Sequence, residues 1–222
     1  FGIKYLSRFY SLDQPNSRKQ HLKPTPQVGG LLFVSTFLFI GYIYQLLPWW
    51  LIIGSLVTMT IGVIDDRYNI RWVFKFFIQL ALAFYLINTF WDNFTHLSLY
   101  NYLIPINQIL LSFLFVLWFV GIYNAVNLID GIDGLAGGFM IFFCLFNFFI
   151  GNSQFFQINL LLCILLIGFL LFNQRPAKVF MGDSGSLFLG FYVAVCPLLY
   201  HQINLPSTNV LNITPFLIIS SF

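Results

Sequence analysis

Residues 48–70 read PWWLIIGSLVTMTIGVIDDRYNI. From Pro48 to Ile64 this stretch carries no charge, and two adjacent aspartates, Asp65 and Asp66, follow immediately. A helix that crosses a bilayer needs about 20 mostly apolar residues, because every backbone polar group must be satisfied within the segment. The stretch therefore predicts a membrane-spanning helix that ends in a pair of carboxylates at the membrane surface.

The rest of the 222-residue chain has the same character. Hydrophobic residues make up 59% of it and charged residues only 8%, whereas a soluble domain is about a quarter charged. This composition excludes a water-soluble enzyme and a nucleic-acid-binding surface. Apolar runs lie at 28–47, 48–64, 72–90, 104–123, 135–150, 156–172 and 185–200, and an eighth begins near Ile213. We expect an all-α, polytopic transmembrane helical bundle with about seven full spans plus a truncated eighth.

The charged residues predict an orientation and a site. If the amino-terminal stretch is cytoplasmic, every Lys and Arg lies on that side, as is usual for membrane proteins, and the outer loops at 91–104 and 201–212 carry only Asp92. All seven acidic residues are Asp, and five of them lie in three segments at cytoplasmic span ends: 64–70, 124–134 and 179–186. Carboxylates at such positions mark functional sites unless they are paired.

The first acidic segment contains the adjacent pair Asp65 and Asp66. On a helix their side chains diverge by about 100°, so one can bind a metal while the other faces a substrate. The alternative is that the pair caps a following helix that begins near Arg71.

In the second segment, 124–134, two Asn residues lie one helical turn apart and two glycines interrupt the helix. We expect Asp130 and Asp133 to lie on a tight turn, where carboxylates, carboxamides and exposed amides suit Mg²⁺ and polar nucleotide groups. A plain turn would explain the glycines but not the polar side chains.

The third segment contains Gly182-Asp183-Ser-Gly185, which also occurs around the nucleophile of trypsin-like proteases. Here it begins a membrane helix and has no suitable His nearby, so we reject that function. The amides of its first turn are expected to be free to hold phosphate, and Asp183 is expected to hold a metal. The alternative is that Asp183 is an N-cap.

Three basic residues, Arg67, Arg71 and Lys75, are spaced by four and predict one basic stripe at the inner surface. Ordinary positive-inside topology with lipid headgroup contact explains such a stripe. The more specific hypothesis is a binding site for the phosphate of a lipid substrate.

Four stretches together resemble a known family: Pro26-Gln-Val-Gly-Gly30, Asp65-Asp66-Arg67-Tyr68-Asn69, Asn127-Leu-Ile-Asp130-Gly-Ile-Asp133-Gly and Phe180-Met-Gly-Asp183-Ser-Gly. This set is similar to that of the polyprenyl-phosphate N-acetylhexosamine-1-phosphate transferases, of the glycosyltransferase 4 type. It looks most like the bacterial undecaprenyl-phosphate GlcNAc-1-phosphate transferases. The resemblance implies transfer of GlcNAc-1-phosphate from UDP-GlcNAc to undecaprenyl phosphate, with release of UMP and with Mg²⁺ or Mn²⁺ as cofactor.

The resemblance also implies roles for individual residues. Asp183 and Asn127 match metal ligands, and Asp65 and Asp66 match a catalytic pair that handles the lipid phosphate. The expected nucleotide-sugar-binding residues are Asp130, Asp133, Asn173, Phe180, Gly182 and Lys23, with Phe180 as a stacking partner for uridine. Arg67, Arg71 and Lys75 are weaker candidates for the lipid phosphate.

The same resemblance implies a multi-pass protein of the bacterial cytoplasmic (inner) membrane, with its active site on the cytoplasmic face. We expect one integral-membrane transferase domain over 1–222, truncated at both ends, whose partners are UDP-GlcNAc, undecaprenyl phosphate and the lipid bilayer, and not nucleic acid. A homodimer is a further expectation. The reaction would be the first membrane step in the synthesis of O-antigen, common antigen or teichoic acid.

Several alternatives remain. The phospho-MurNAc-pentapeptide translocase of peptidoglycan synthesis shares the three acidic motifs, although the Asp65–Asn69 form favours the GlcNAc branch. The family's His-x-His-His motif does not occur in these 222 residues, so a non-catalytic membrane fragment is another hypothesis. A transporter would place its acids near the middle of the spans, whereas here they lie at span ends.

Overall fold

The computed structural model describes residues 12–13, 25–90, 94–99, 102–174, 177–206, 208–213 and 216. Each of the seven full apolar runs forms a helix, which confirms the predicted all-α bundle. The helices are α1 (Gly29–Ile43), α2 (Trp49–Tyr68), α3 (Trp72–Phe90), α4 (Gln108–Ile129), α5 (Leu135–Asn147), α6 (Ser153–Asn173) and α7 (Gly182–Asn204).

The helices differ in whether they are long enough to cross a bilayer. Among the described residues, α2, α3, α4, α6 and α7 have the length and hydropathy of membrane spans. The other two, α1 and α5, are apolar but have only 15 and 13 residues, which at about 1.5 Å per residue falls short of a hydrocarbon core about 30 Å thick. The expected seven full spans are therefore five full-length helices and two shorter ones in a multi-pass membrane protein. The eighth predicted run, from Ile213, lies almost wholly outside the described residues.

Helix α7 forms the centre of the bundle. Nearly every side chain from Gly182 to Leu199 is buried, and the helix packs chiefly against α2, α4 and α1. Glycines allow this close approach: a Cβ added at Gly30 of α1 would overlap the backbone of Gly185, and one added at Gly62 of α2 would overlap the backbone of Ser184. Small residues commonly bring helix backbones together in membranes, where the lipid provides no hydrophobic drive for association.

Two helices extend beyond the apolar runs that predict them. Helix α2 continues four residues past Ile64, so Asp65 and Asp66 lie in its last turn. Helix α4 likewise continues to Ile129 and includes Asn127. Both helices extend past their apolar runs because their terminal polar side chains form hydrogen bonds with residues of neighbouring helices, as described below.

A small sheet lies at the end of the bundle where α3 and α7 end. The sequence predicted loops there, at 91–104 and 201–212. Strand β3 (His96–Leu99) pairs antiparallel with β4 (Tyr102–Pro105) and parallel with β5 (Val210–Asn212). Near the amino terminus, β1 (Leu12–Asp13) and β2 (Thr25–Pro26) form an antiparallel pair. The three-stranded sheet connects the loop after α3 to the segment after α7.

Candidate active site

The three acidic segments meet at one end of the bundle. Asp65 comes from the end of α2, Lys75 from the start of α3, Asn127 from the end of α4 and Asp183 from the start of α7. Side-chain hydrogen bonds or ion pairs connect these four residues. We call them the carboxylate–lysine cluster. Four different helices thus contribute side chains to one polar site.

Lys75 lies at the centre of this cluster. Its Nζ donates to Asp65 Oδ2 at 2.6 Å and to Asp183 Oδ2 at 3.3 Å. Asp65 is only 5% exposed, and its other oxygen accepts from the backbone N–H of Ile70 at 2.6 Å. An ammonium shared between two carboxylates offsets their mutual repulsion, and hydrogen bonds to ionised groups are stronger than neutral ones.

The basic residues around the cluster do not form the predicted stripe. Helix α2 ends at Tyr68, Asn69 has a left-handed φ of 49°, and α3 begins only at Trp72. Because the chain turns there, Lys75 points into the cluster, while Arg67 and Arg71 are exposed. The Arg67 guanidinium lies 5.5 Å from the centre of the Tyr68 ring.

Asp66 faces a different partner from Asp65. Its Oδ1 accepts from the backbone N–H of Asp183 at 2.7 Å, and its Oδ2 accepts from that of Ser184 at 3.2 Å. The divergence predicted for the pair is therefore present, but Asp66 caps the start of α7. These two amides are not free for phosphate as the sequence suggested, and the cap comes from another helix rather than from Asp183.

The glycine at the start of α7 fits this cap. Gly182 has φ +71°, a conformation that residues with a Cβ rarely adopt. A Cβ there would also lie 2.7 Å from Asp66 Oδ2. Gly182 therefore lets the carboxylate approach the backbone, and its contact is with Asp66.

Asn127 connects α4 to the cluster. Its Nδ2 donates to Ser186 Oγ at 2.7 Å and lies 3.5 Å from Asp183 Oδ1. One turn earlier, Asn124 exchanges two hydrogen bonds with the buried Gln79 of α3, at 2.8 and 3.1 Å. These bonds hold α4 against α3 and α7 at the height of the cluster.

Asp130 and Asp133 lie on a turn between α4 and α5, as predicted. The turn ends at Gly134, which has φ +77°. Burial and the negative charges of Asp183, Asp66 and Asp133 raise the pKa of Asp130 well above its usual range. The turn thus extends the group of carboxyl side chains beyond the carboxylate–lysine cluster, and its surroundings favour the neutral form of Asp130.

Asn173 joins this turn to the third segment. Its Oδ1 accepts from Gly134 N at 2.8 Å, and its Nδ2 donates to Val179 O at 2.9 Å. Next in the chain, Phe180 is half-buried and exchanges backbone hydrogen bonds with Pro26 and Gly29, at 2.9 and 3.0 Å. The structure therefore places Asn173 as a connector of two loops. Lys23 lies outside the described residues.

The cluster can be tested as a site for a divalent cation. Among the described residues, no three or more Asp, Glu, His or Cys side chains are arranged around a metal position. Mg²⁺ commonly uses only one or two protein carboxylates and completes its shell with water and substrate phosphates. Asp183 and Asp65 supply two carboxylates, and the Asn127 carboxamide adjoins Asp183. This donor set fits a cation completed by the phosphates of a ligand, and Mg²⁺ or Mn²⁺ stays a prediction.

Two residues of the site were misjudged or missed from the sequence. Lys75 was predicted to lie in one basic stripe with Arg67 and Arg71, and Gln79 was not singled out. Both lie on α3, one turn apart, within a stretch of large apolar side chains. Two polar residues at a spacing of four in such a helix indicate a face that turns toward a polar site.

Comparison with known proteins agrees with this arrangement. A family model described as glycosyl transferase family 4 matches residues 48–201. Over 203 residues the chain is 34% identical to the probable undecaprenyl-phosphate N-acetylglucosaminyl 1-phosphate transferase of Bacillus subtilis, covering 85% of the chain and 55% of that protein. It is 32% identical over 191 residues to the undecaprenyl-phosphate alpha-N-acetylglucosaminyl 1-phosphate transferase of Thermotoga maritima, covering 86% and 57%.

A relative with a different name is almost as similar. The phospho-N-acetylmuramoyl-pentapeptide-transferase of Staphylococcus carnosus is 33% identical over 203 residues, which cover 79% of the chain and 63% of that protein. The chain thus spans between 55% and 63% of the length of these three relatives. The family model includes α2 to α6, most of α7 and all four residues of the carboxylate–lysine cluster. The chain belongs to glycosyl transferase family 4.

Proposed function

We propose that this chain carries the catalytic site of an enzyme that transfers GlcNAc-1-phosphate from UDP-GlcNAc to undecaprenyl phosphate and releases UMP. The observation that carries the proposal is the carboxylate–lysine cluster at one end of a membrane bundle. Its two carboxylates and its carboxamide would hold a cation, and its lysine a phosphate, at the end of the bundle where a lipid phosphate and a soluble nucleotide can meet. Two of the relatives above bear names that describe this activity.

In the proposed reaction, an oxygen of the lipid phosphate attacks the β-phosphorus of UDP-GlcNAc. The bond from that phosphorus to the bridging oxygen breaks, and the electron pair leaves on UMP. Phosphoryl transfer depends mostly on positioning and on neutralising charge. When bound, Mg²⁺ would neutralise the charge of the diphosphate, and Asp183 and Asn127 are the residues that would hold it.

Asp65 is the better candidate of the aspartate pair for contact with the acceptor. A phosphate monoester has a second pKa of about 6 and is mostly dianionic at pH 7, so little work remains for a base. Asp65 would remove the last proton from the minor protonated form or orient the phosphate. Asp66 has both oxygens on backbone amides of α7 and would act by positioning Asp183.

The nucleotide would bind beside the connector formed by Asn173. This residue fixes the turn of Asp130 and Asp133 next to the loop that carries Phe180. The half-buried Phe180 ring would stack on uracil, since aromatic faces stack on bases without need for hydrogen bonds. The carboxylates of the turn would then face the ribose or sugar hydroxyls as hydrogen-bond acceptors.

We further propose that the site faces the cytoplasm of a bacterium and that the product begins a cell-surface polysaccharide. The described basic residues, including Arg67, Lys75 and Lys178, lie at the site end of the bundle, and positive loops normally stay cytoplasmic. The polysaccharide would be O-antigen, common antigen or teichoic acid.

A second candidate function is transfer of phospho-MurNAc-pentapeptide to the same lipid. It is favoured by the similarity to the Staphylococcus carnosus protein, which is nearly as high as that to the GlcNAc-1-phosphate transferases. The two candidates share the reaction and differ in the sugar that the nucleotide carries. A substrate comparison in one assay separates them.

The test is UMP release in membranes that contain the protein, undecaprenyl phosphate and Mg²⁺, with UDP-GlcNAc or UDP-MurNAc-pentapeptide as donor. We expect UMP from UDP-GlcNAc, and a loss of at least about a hundredfold in the Asp183→Asn variant, as expected when an electrostatic stabiliser is removed. Lys178→Met removes an exposed charge outside the cluster and is the control. Equal turnover by the wild type and Asp183→Asn would overturn the metal-binding role of Asp183. Release from the pentapeptide donor alone would favour the second candidate.

A further inference from the structure

Lys75 occupies the place between two carboxylates that a divalent cation would need. Its Nζ lies 2.6 Å from Asp65 Oδ2 and 3.3 Å from Asp183 Oδ2, and these belong to the two carboxylates that the proposed function assigns to the acceptor and to the cation. The lysine therefore contacts both carboxylates and offsets about one of their two negative charges. A second cation beside Asp183 would meet the ammonium as a like charge.

The charges of the cluster favour binding of the divalent cation and the nucleotide together. Asp65, Asp183 and Lys75 together carry about one negative charge, so a divalent cation alone would leave the cluster positive. A nucleotide diphosphate adds at least two negative charges and gives the ammonium a new partner. Metal and diphosphate entering together keep the site close to neutral, which is the less costly arrangement where water is partly excluded.

The Lys75 side chain is free enough to leave the two carboxylates for a phosphate. Its side chain is 24% exposed, against 6% for that of Asp65, so the lysine can move while the carboxylate stays fixed. Lysine carries a compact charge on a flexible stem with three donors, and it binds phosphate as a point charge. Asp65 also keeps its hydrogen bond from Ile70 N at 2.6 Å when the lysine leaves.

We propose that Lys75 is an internal counter-ion that holds Asp65 and Asp183 when no nucleotide is bound, and turns to a phosphate when a divalent cation and the nucleotide enter together. Lys75 thereby makes the binding of cation and nucleotide mutually dependent. By linkage, each ligand strengthens the other by the same factor. This inference rests on the proposed function, because it assigns the nucleotide diphosphate to the same cluster.

The test is titration of Mn²⁺ into the full-length protein in lipid nanodiscs, with free Mn²⁺ followed by electron paramagnetic resonance. It is run with and without UDP-GlcNAc and in the absence of lipid acceptor. We expect weak Mn²⁺ binding to the wild type, strengthened about tenfold or more by UDP-GlcNAc, a typical size for coupling between ligands. In Lys75→Met we expect tighter binding of Mn²⁺ alone and a smaller strengthening by the nucleotide than in the wild type, because only direct coordination of Mn²⁺ by the diphosphate remains.

Three further variants control for the loss of a positive charge elsewhere, for the type of side chain at position 75 and for misfolding. Lys178→Met removes an equal charge from an exposed position outside the cluster and should behave as the wild type. Lys75→Arg keeps the charge and should still exclude Mn²⁺ in the absence of nucleotide. Lys75→Gln repeats the loss of charge with a polar side chain, in case Lys75→Met does not fold as judged by thermal unfolding.

The outcomes separate this inference from the proposed function. If loss of the lysine charge weakens or does not change the binding of Mn²⁺ alone, or if the nucleotide strengthens Mn²⁺ binding as much without the lysine charge as with it, the counter-ion role is wrong. UMP release by the wild type would then still support the proposed function. If the wild type neither binds Mn²⁺ under any condition nor releases UMP, both proposals are wrong.

Discussion

Asp66 caps the helix that carries Asp183. The Oδ1 atom of Asp66 accepts from the backbone N–H of Asp183 at 2.7 Å, and Oδ2 accepts from that of the next residue at 3.2 Å. The cap connects the end of α2 to the start of α7, and a carboxylate there also interacts favourably with the positive end of the helix dipole. The position of Asp183 thus depends on a residue 117 positions earlier in the chain.

This cap predicts a graded effect of substitutions at Asp66 on stability. Asp66→Ala removes both acceptors and should lower the free energy of unfolding by about 1–2 kcal/mol, the usual cost of losing an N-cap. Asp66→Asn keeps one acceptor oxygen and should give an intermediate loss. Unfolding in mixed detergent micelles, followed by circular dichroism, measures both. An Asn variant as unstable as the Ala variant, or two variants with wild-type stability, would contradict the capping role.

The contact between α1 and α7 predicts a second stability effect. A Cβ at Gly30 would overlap the backbone of Gly185, so Gly30→Ala has to push the two helices apart. We expect a loss of about 1–3 kcal/mol, as for other overpacked positions. The matched control is Gly168→Ala in α6, where an added Cβ meets no atom within 4 Å. If both variants unfold alike in the same micelle assay, α1 and α7 are not in close contact.

The helical bundle was predictable because each helix corresponds to one continuous apolar run in the sequence. Uninterrupted apolar runs leave few options in a membrane, and each full run became a helix. The helix ends were not predictable from hydropathy, because Asp65 and Asn127 stay helical through partners on other helices. The pairing of β3 with β5 was also missed, since it joins strands of three and four residues that are more than a hundred positions apart.

The residues that form the site were predicted better than the hydrogen bonds between them. The sequence indicated that Asp65, Asn127 and Asp183 belong to one site, and the structure brings them together. The sequence could not indicate that Asp66 accepts hydrogen bonds from the backbone amides at the start of α7. The direction of each side chain depends on how the two helices are rotated relative to each other. The role of Lys75 was missed for the same reason: a spacing of four with Arg67 and Arg71 means one face only if the helix is continuous.

The proposed orientation predicts which end of the bundle a membrane-impermeant reagent reaches. The native Cys144, Cys163 and Cys196 are buried, so a cysteine introduced at an exposed position reports its own side. In spheroplasts we expect a charged maleimide to label Tyr102→Cys, on strand β4 and 75% exposed. Lys178→Cys, at the site end, should be labelled only after the membrane is permeabilised. The reverse pattern would place the site on the outer face.

In the proposed reaction the sugar moves together with its phosphate. The most direct measurement uses UDP-GlcNAc with tritium in the sugar and radioactive phosphorus in the β-position, and follows both labels into the lipid fraction with undecaprenyl phosphate as acceptor. We expect the lipid to gain the two labels in equal amounts while UMP is released, and Asp183→Asn to abolish both. Lipid that gains the tritium without the radioactive phosphorus, with release of UDP, would contradict the proposed reaction.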